Sequence, residues 1–441
     1  MAGSVDKRTS TVVRDAWESL VSSRESGHWL DAESDRGFLK DVEAHLALVE
    51  PFLMAVRDFV DPPLAVPDLV ESVIETLQTV RTVERDTAIK PGSFNGFSAS
   101  PYPYVPLDVD YVDSAAAVLD LCRLTLELSA ACRHPLVDSH RVRLEQVGQT
   151  ALRFLVASRI EDNEGCRWAA VFDVEGARLA NMFHTRYAFR AINHALRCEA
   201  LVAAIDEPAR REAKAVLPLV ARWTIGQFDR QRAMFYYDAD RASMPAIAGI
   251  HALDILYSSE DPSDEQLKYC RAAVAQFLSR CSSLDDAQRM QIDVFARYRL
   301  PSLAQAAAYD DRGYVGDLLS VLAKAKQADP EVLSPEFIGA AELLFEALRS
   351  EWIDGPTKMW DDGRPLICYT HQALVALVNH SLYGSVEEVT LREDELRAAV
   401  RDALDQSNLV DEIVQQIVSQ TRARQSRSIT LAASATNPPN R

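Results

Sequence analysis

An all-α fold made of repeated helical hairpins is what the sequence predicts, and three observations predict it. Apolar residues recur at helical spacing along nearly the whole chain, as in Leu119, Cys122 and Leu126 or Leu374, Leu377 and Val378, while alternating strand-like runs are almost absent. A segment rich in small residues, opening near a Ser, Thr or Pro and continuing as an apolar helix, recurs at intervals of about 60 to 70 residues. Each copy is preceded by a more amphipathic helix. Helices apolar nearly all round belong inside and those with one polar face belong outside. The implied arrangement is a double ring, with inner helices around a cavity and outer helices facing water.

Taken in order, residues 1–10 are small and polar and read as a flexible N-terminus. Residues 11–421 read as one all-α domain, whose repeats run from about 68 to 383 with extra helices on either side. The first pair is an outer helix over 69–85 and an inner helix opening at Ser114-Ala-Ala-Ala-Val-Leu. The second is 142–159 with Thr185-Arg-Tyr-Ala-Phe-Arg-Ala-Ile, and the third 210–223 with Pro245-Ala-Ile-Ala-Gly-Ile-His-Ala-Leu. In the fourth, 265–280 precedes a weaker copy near Leu303; in the fifth, 336–349 precedes Thr370-His-Gln-Ala-Leu-Val-Ala-Leu. Loops over 91–107 and 161–175 are longer than simple connections and rich in Gly, Pro and aromatics, and long loops in compact folds are usually functional. Residues 422–441, rich in Arg, Ser, Thr, Asn and Pro, read as a disordered basic tail.

Composition narrows the partners. Of 441 residues, 65 are acidic and 47 basic, giving a net charge of -18 at pH 7, which opposes broad contact with a phosphate backbone. Nucleic acid is therefore excluded as the main partner. The cysteines (Cys122, Cys132, Cys166, Cys198, Cys270, Cys281 and Cys368) are odd in number and form no Cys-x-x-Cys pair, which suits reduced thiols of a cytoplasmic protein. The first fifteen residues hold no apolar signal core, and no stretch approaches the roughly 18 apolar residues of a membrane span.

Ala151-Leu-Arg-Phe-Leu-Val-Ala-Ser-Arg, then Asp162-Asn-Glu-Gly-Cys-Arg-Trp168, then Thr185 to Ile192 resemble the outer helix, Gly/Trp turn and inner helix of the α/α-toroid superfamily. That superfamily contains the terpenoid cyclases and the protein prenyltransferase β subunits. A second copy runs from Glu342 through Trp360 to Leu377. The resemblance implies an α/α toroid with its chemistry at the rim, where loops meet inner helices. Asp108-Val-Asp110-Tyr-Val-Asp113 is similar to the Asp-rich motif of class II terpene cyclases, in which an aspartic acid protonates an alkene. Aligned on Asp110 and Asp113, the motif places Val112 where the proton donor would stand. Asp113 and Ser114 are also suited to cap the inner helix that follows.

Prenyltransferase-like zinc chemistry would use Asp, Cys and His. Cys368 and His371 lie three apart, but no third ligand is near, and Asp120 and Cys122 lie inside a helix, so no metal is expected. The pairs Asp285-Asp286, Asp310-Asp311 and Asp361-Asp362 lack the continuation that holds magnesium against a diphosphate and suit caps and turns. No nucleophile elbow, phosphate loop or zinc-protease helix is present. His184 and His251 face either the cavity or the core.

What remains is an aromatic and acidic rim: Tyr102, Tyr104, Tyr111, Trp168, Phe235, Tyr236, Tyr237, Trp360 and Tyr369 fall in or beside the loops. With Asp108, Asp110, His184 and His371, the candidates Tyr102, Tyr104, Trp168, Trp360 and Tyr369 form an expected binding surface for a protein partner or an apolar small molecule. The expected function is that of a non-catalytic toroid without a cofactor. The alternative is a divergent class II terpene cyclase-like or other isoprenoid enzyme using Asp110 and Asp113.

Overall fold

The structure is a computed structural model and describes residues 7–25, 28–31, 38–39, 41–54, 65–79, 82–83, 96–97, 110–169, 171–172, 180–241, 244, 246–260, 262–279, 281, 313–350 and 367–380. Its helices, in chain order, are α1 (Lys7–Ser22), α2 (Asp41–Met54), α3 (Val66–Thr79), α4 (Val112–Ala131), α5 (Asp138–Ala157), α6 (Met182–Ala195), the short α7 (Glu199–Ala204), α8 (Glu207–Gly226), α9 (Ala246–Ser258), α10 (Asp264–Leu278), α11 (Gly313–Ala328), α12 (Pro335–Ser350) and α13 (Ile367–Asn379). Helices α2, α4, α6, α9, α11 and α13 pack each on the next, and α13 closes on α2. This is the inner ring. Helices α1, α3, α5, α8, α10 and α12 pack outside it, each against inner neighbours. The fold is an α/α toroid, as the sequence predicts.

Local chemistry sets the ends of these helices. Ser263 accepts from the Gln266 backbone N–H while the Gln266 side chain accepts from the Ser263 backbone, a capping box that starts α10. Asp206 accepts from the Ala209 N–H at 2.8 Å and starts α8, with Pro208 in the first turn where its missing N–H costs nothing. In α9 every residue from Ala246 to Tyr257 is buried, which is the all-round apolar pattern of an inner helix. Because outer and inner helices alternate, the inner six run the same way and their N-termini share one mouth.

The sequence repeat, beginning at 68, omits the first hairpin. α1 and α2 supply it: Trp17 is fully buried, donates through Nε1 to Ala47 O at 2.9 Å, and meets Phe52 edge-on at 5.9 Å. α1 begins at Lys7, so residues 7–10 of the stretch expected to be flexible are helical, and Thr9 is buried. The weak copy near Leu303 and the basic tail lie outside the described residues; the inner helix of that repeat is α11, starting at Gly313. Among the described residues no helix is long and apolar enough to cross a membrane.

Short antiparallel hairpins join outer to inner helices at the mouth. Ile160–Asp162 pairs with Gly165–Arg167 between α5 and α6, and Phe228–Asp229 pairs with Met234–Phe235 between α8 and α9. Gly165 has φ +133°, and a Cβ there would lie 2.3 Å from the Leu219 carbonyl oxygen of α8, so glycine is required on both counts. This turn sends Trp168 inward. Its side chain is fully buried and Nε1 donates to Leu155 O at 2.8 Å. The expectation that Trp168 offers a ligand-binding face is therefore corrected: it is a core anchor. Phe235 is fully buried as well.

Candidate functional site

The ring's interior is charged. α6 contributes Arg186 and Arg190, one turn apart. Arg186 donates through Nε to Asp254 of α9 at 2.5 Å and through Nη2 to Asp317 of α11 at 3.0 Å. Asp254 also accepts from Lys324 of α11. Arg190 donates to Glu50 of α2, and its Nε lies 3.9 Å from Asp120 of α4. Glu50 Oε2 is 2.8 Å from His371 Nε2 on α13, and Asp120 pairs with Arg123 at 3.2 Å and faces His194 Nδ1 at 3.5 Å. Every inner helix thus contributes a charged or titratable group.

Each carboxylate here has a cation that outweighs its burial. Burial raises the Asp254 carboxyl, but the Lys324 and Arg186 charges hold it well below the usual range. Burial likewise opposes, and Arg190 and His371 overcome, at Glu50, which is also held well below that range. Asp317 and Asp120 are lowered too, against burial, by Arg186 in the first case and by His194 and Arg123 in the second. All four are ionised near neutrality.

His251 is different. It is fully buried on α9, and neither ring nitrogen has a hydrogen-bond partner among the described residues. Its Nε2 stands 3.7 Å from Asp317 Oδ2, beyond hydrogen-bond length. Burial lowers its pKa, against the pull of Asp317, so the ring is neutral near pH 7. Above it, at the first turns of α6, the Phe183 ring lies 5.4 Å from His251 and 4.7 Å from Tyr187, with the Arg186 guanidinium 5.1 Å over Tyr187. Phe183, His184 and Tyr187 are half-buried. Aromatic faces therefore border a histidine, a carboxylate and an arginine at the mouth.

The residues singled out from sequence divide as follows. His371 joins the network, and His184 lies in the first turn of α6, its backbone N–H donating to the Asn181 side chain at 3.0 Å. Asp110 lies in a strand, Asp110–Tyr111, paired with Val171–Phe172 beside the mouth. Asp113 stands in the first turn of α4, a helix that starts at Val112. The side chains of Asp110, Asp113 and Tyr369 lie outside the described residues, as do Tyr102, Tyr104, Asp108, Trp360 and the three Asp-Asp pairs in full. Cys122 is buried inside α4, where burial pushes its thiol up to about 12. Sequence reasoning missed Arg186, Arg190, Asp254, Asp317, Glu50 and Lys324. The signal available was two arginines four apart in a helix otherwise marked as inner.

Fold and interior together define an α/α toroid with ion pairs laced across its axis. Neither a protein-family model nor a curated protein matches the chain in sequence. Among solved structures it is similar to the cellobiose 2-epimerase of Spirochaeta thermophila, with a TM-score of 0.56 and 12% identity over 85% of this chain and 96% of that one. A sugar epimerase from a ruminal bacterium gives 0.54 and 10%, over 86% and 99%. The GH76 alpha-mannanase of Bacteroides thetaiotaomicron gives 0.53 and 9%, over 85% and 96%. At these identities the likeness establishes the fold. The expected non-catalytic toroid and its isoprenoid alternative are both corrected: the neighbours are carbohydrate-active enzymes, and a terpene needs an apolar cavity where this ring carries buried charges.

Proposed function

We propose that the protein is a sugar-processing enzyme working at the N-terminal mouth of its inner ring, and that it moves a proton at the carbon next to the carbonyl of a reducing sugar. The observation that carries this reading is the placement of two histidines, each beside an ionised carboxylate. His251 is the sixth residue of α9 and His371 the fifth of α13, so they stand at like depth on either side of α11. A neutral imidazole is a suitable base near neutral pH. His251, the neutral ring, takes the proton from carbon, the C–H electron pair moves toward the carbonyl oxygen, and a proton delivered from the other face by a ring that enters the step protonated gives the epimer. Phe183 and Tyr187, half-buried at the first turns of α6, offer faces for the apolar side of a sugar ring.

Hydrolysis of a glycosidic bond fits the described interior less well. It requires one carboxylic acid held protonated near neutral pH. The buried carboxyls of the network are all shifted the other way. The test is incubation of the protein with a panel of reducing disaccharides in D2O, followed by proton NMR. The expected result is deuterium replacing the proton beside the reducing carbonyl, with no new reducing ends. Release of reducing ends without exchange, or neither event across the panel, would overturn the reading.

A further inference from the structure

We propose that Gln372 is a specificity-determining residue of the mouth, its side-chain carbonyl oxygen accepting a hydrogen bond from one hydroxyl of the sugar whose proton His251 takes. The inference rests on the sugar-processing reading and deepens it, while its geometry is independent of the reaction. Along α13 the half-buried positions are His371, Gln372 and Asn379, whereas Thr370, Ala373 and Leu377 are buried. At about 100° per residue, the three half-buried positions fall within one arc of roughly 100° and the three buried ones lie opposite. His371 on that arc reaches Glu50, which meets Arg190 across the ring, so the arc faces the axis. Gln372 therefore borders the same space as His371. Its backbone sits at the seam with α11, where a Cβ on Gly316 would lie 3.2 Å from the Gln372 carbonyl oxygen, and α11 is the helix that carries Asp317.

The chemistry of the side chain points the same way. Gln372 Oε1 is buried and has no hydrogen-bond partner among the described residues. An unpaired buried amide oxygen is unfavourable, and a ligand that donates to it removes that penalty. Gln372 is the sixth residue of α13 and His251 the sixth of α9, and both helices pack on α11. Polar atoms without partners thus stand at like depth on the two sides of Asp317. A sugar suits such a pair, because it offers a C–H to the histidine and a hydroxyl, which is a donor, to the amide. The last torsion of a glutamine is broad, so the half-buried amide turns its oxygen toward the axis at little cost. An apolar ligand would leave that oxygen unpaired.

The experiment measures Kd on the full-length protein, by NMR titration, for glucose and for its derivatives lacking the third, fourth or sixth hydroxyl, with deuterium exchange followed on the same samples. Gln372→Met, which keeps the length of the side chain and removes the acceptor, should weaken glucose binding about 3- to 10-fold, the worth of one hydrogen bond. Against one of the three derivatives parent and variant should bind alike, because the hydroxyl that Gln372 meets is already gone. Against the other two the parental advantage should persist. In exchange, KM should carry the effect and kcat stay near the parent's. Where Gln372→Met fails to fold, Gln372→Asn, which keeps the amide and withdraws it by one methylene group, should give the same pattern. Equal binding of glucose by parent and variant, or the same penalty on glucose and on all three derivatives, would overturn the proposal. Binding that follows Gln372 without exchange would sink the enzymatic reading alone, exchange that ignores Gln372 would sink the proposal alone, and a parent that binds none of these sugars would sink both.

Discussion

Arg186→Met is expected to destabilise the folded protein by about 3–5 kcal/mol, because removing one member of a buried ion cluster leaves charge uncompensated in a low-dielectric interior. Arg186, Asp254 and Asp317 are all buried, and the one guanidinium serves both acids. Asp254 would keep Lys324, but Asp317 would be left with His251 alone. The measurement is urea unfolding of parent and variant, read as the change in midpoint at constant slope. Asp317→Asn in the Arg186→Met background should recover part of the loss, since it removes the stranded charge. Arg153, which meets Asp206 between partly exposed side chains, is the control: Arg153→Ala should cost about 0–1 kcal/mol. A loss at Arg186 no larger than that at Arg153 would mean that the axial pairs contribute nothing beyond ordinary surface pairs.

The second large effect is catalytic. His251→Asn should lower the rate of deuterium exchange into a reducing sugar by about 10²–10⁴, the range that positioned general bases contribute, measured under conditions where urea unfolding shows the variant to be folded. The ring is fully buried beside Phe183, so some stability is lost with its packing. A fall in rate with KM unchanged would place the ring in the chemical step rather than in binding. His140, which meets Glu71 on the outer surface at 3.3 Å, offers the comparison: His140→Asn should exchange at the parental rate.

The ring was legible from sequence where helical periodicity was strong and the inner helix apolar. α9 is the clearest instance, its unbroken run of buried residues being visible as apolar letters interrupted at His251 and Asp254. α2 was hidden because it opens on Asp41-Val-Glu in place of small residues and carries Pro51 inside, so it matched no copy of the repeat. Trp168 was misread because a Gly/Trp turn resembles a rim; the close packing of Gly165 against α8 is a tertiary fact that turns the ring inward. The charge network was out of reach for a different reason. Arg186 and Asp254 are 68 residues apart, and Glu50 and His371 are 321 apart, so their meeting is decided by ring closure and not by any local pattern. A lone histidine in an apolar helix, as His251 looks in sequence, acquires meaning when Asp317 and Phe183 are brought beside it.

Where a sugar sits is the point on which the account depends. The measurement is a crystal structure of the protein soaked with the reducing disaccharide that exchanges fastest. The account predicts a sugar at the N-terminal mouth of the inner ring, one face against Phe183 and Tyr187, with the carbon next to its carbonyl between His251 and His371. A sugar bound on the outer face or at the opposite end of the ring, with the two histidines out of reach of it, would contradict the account.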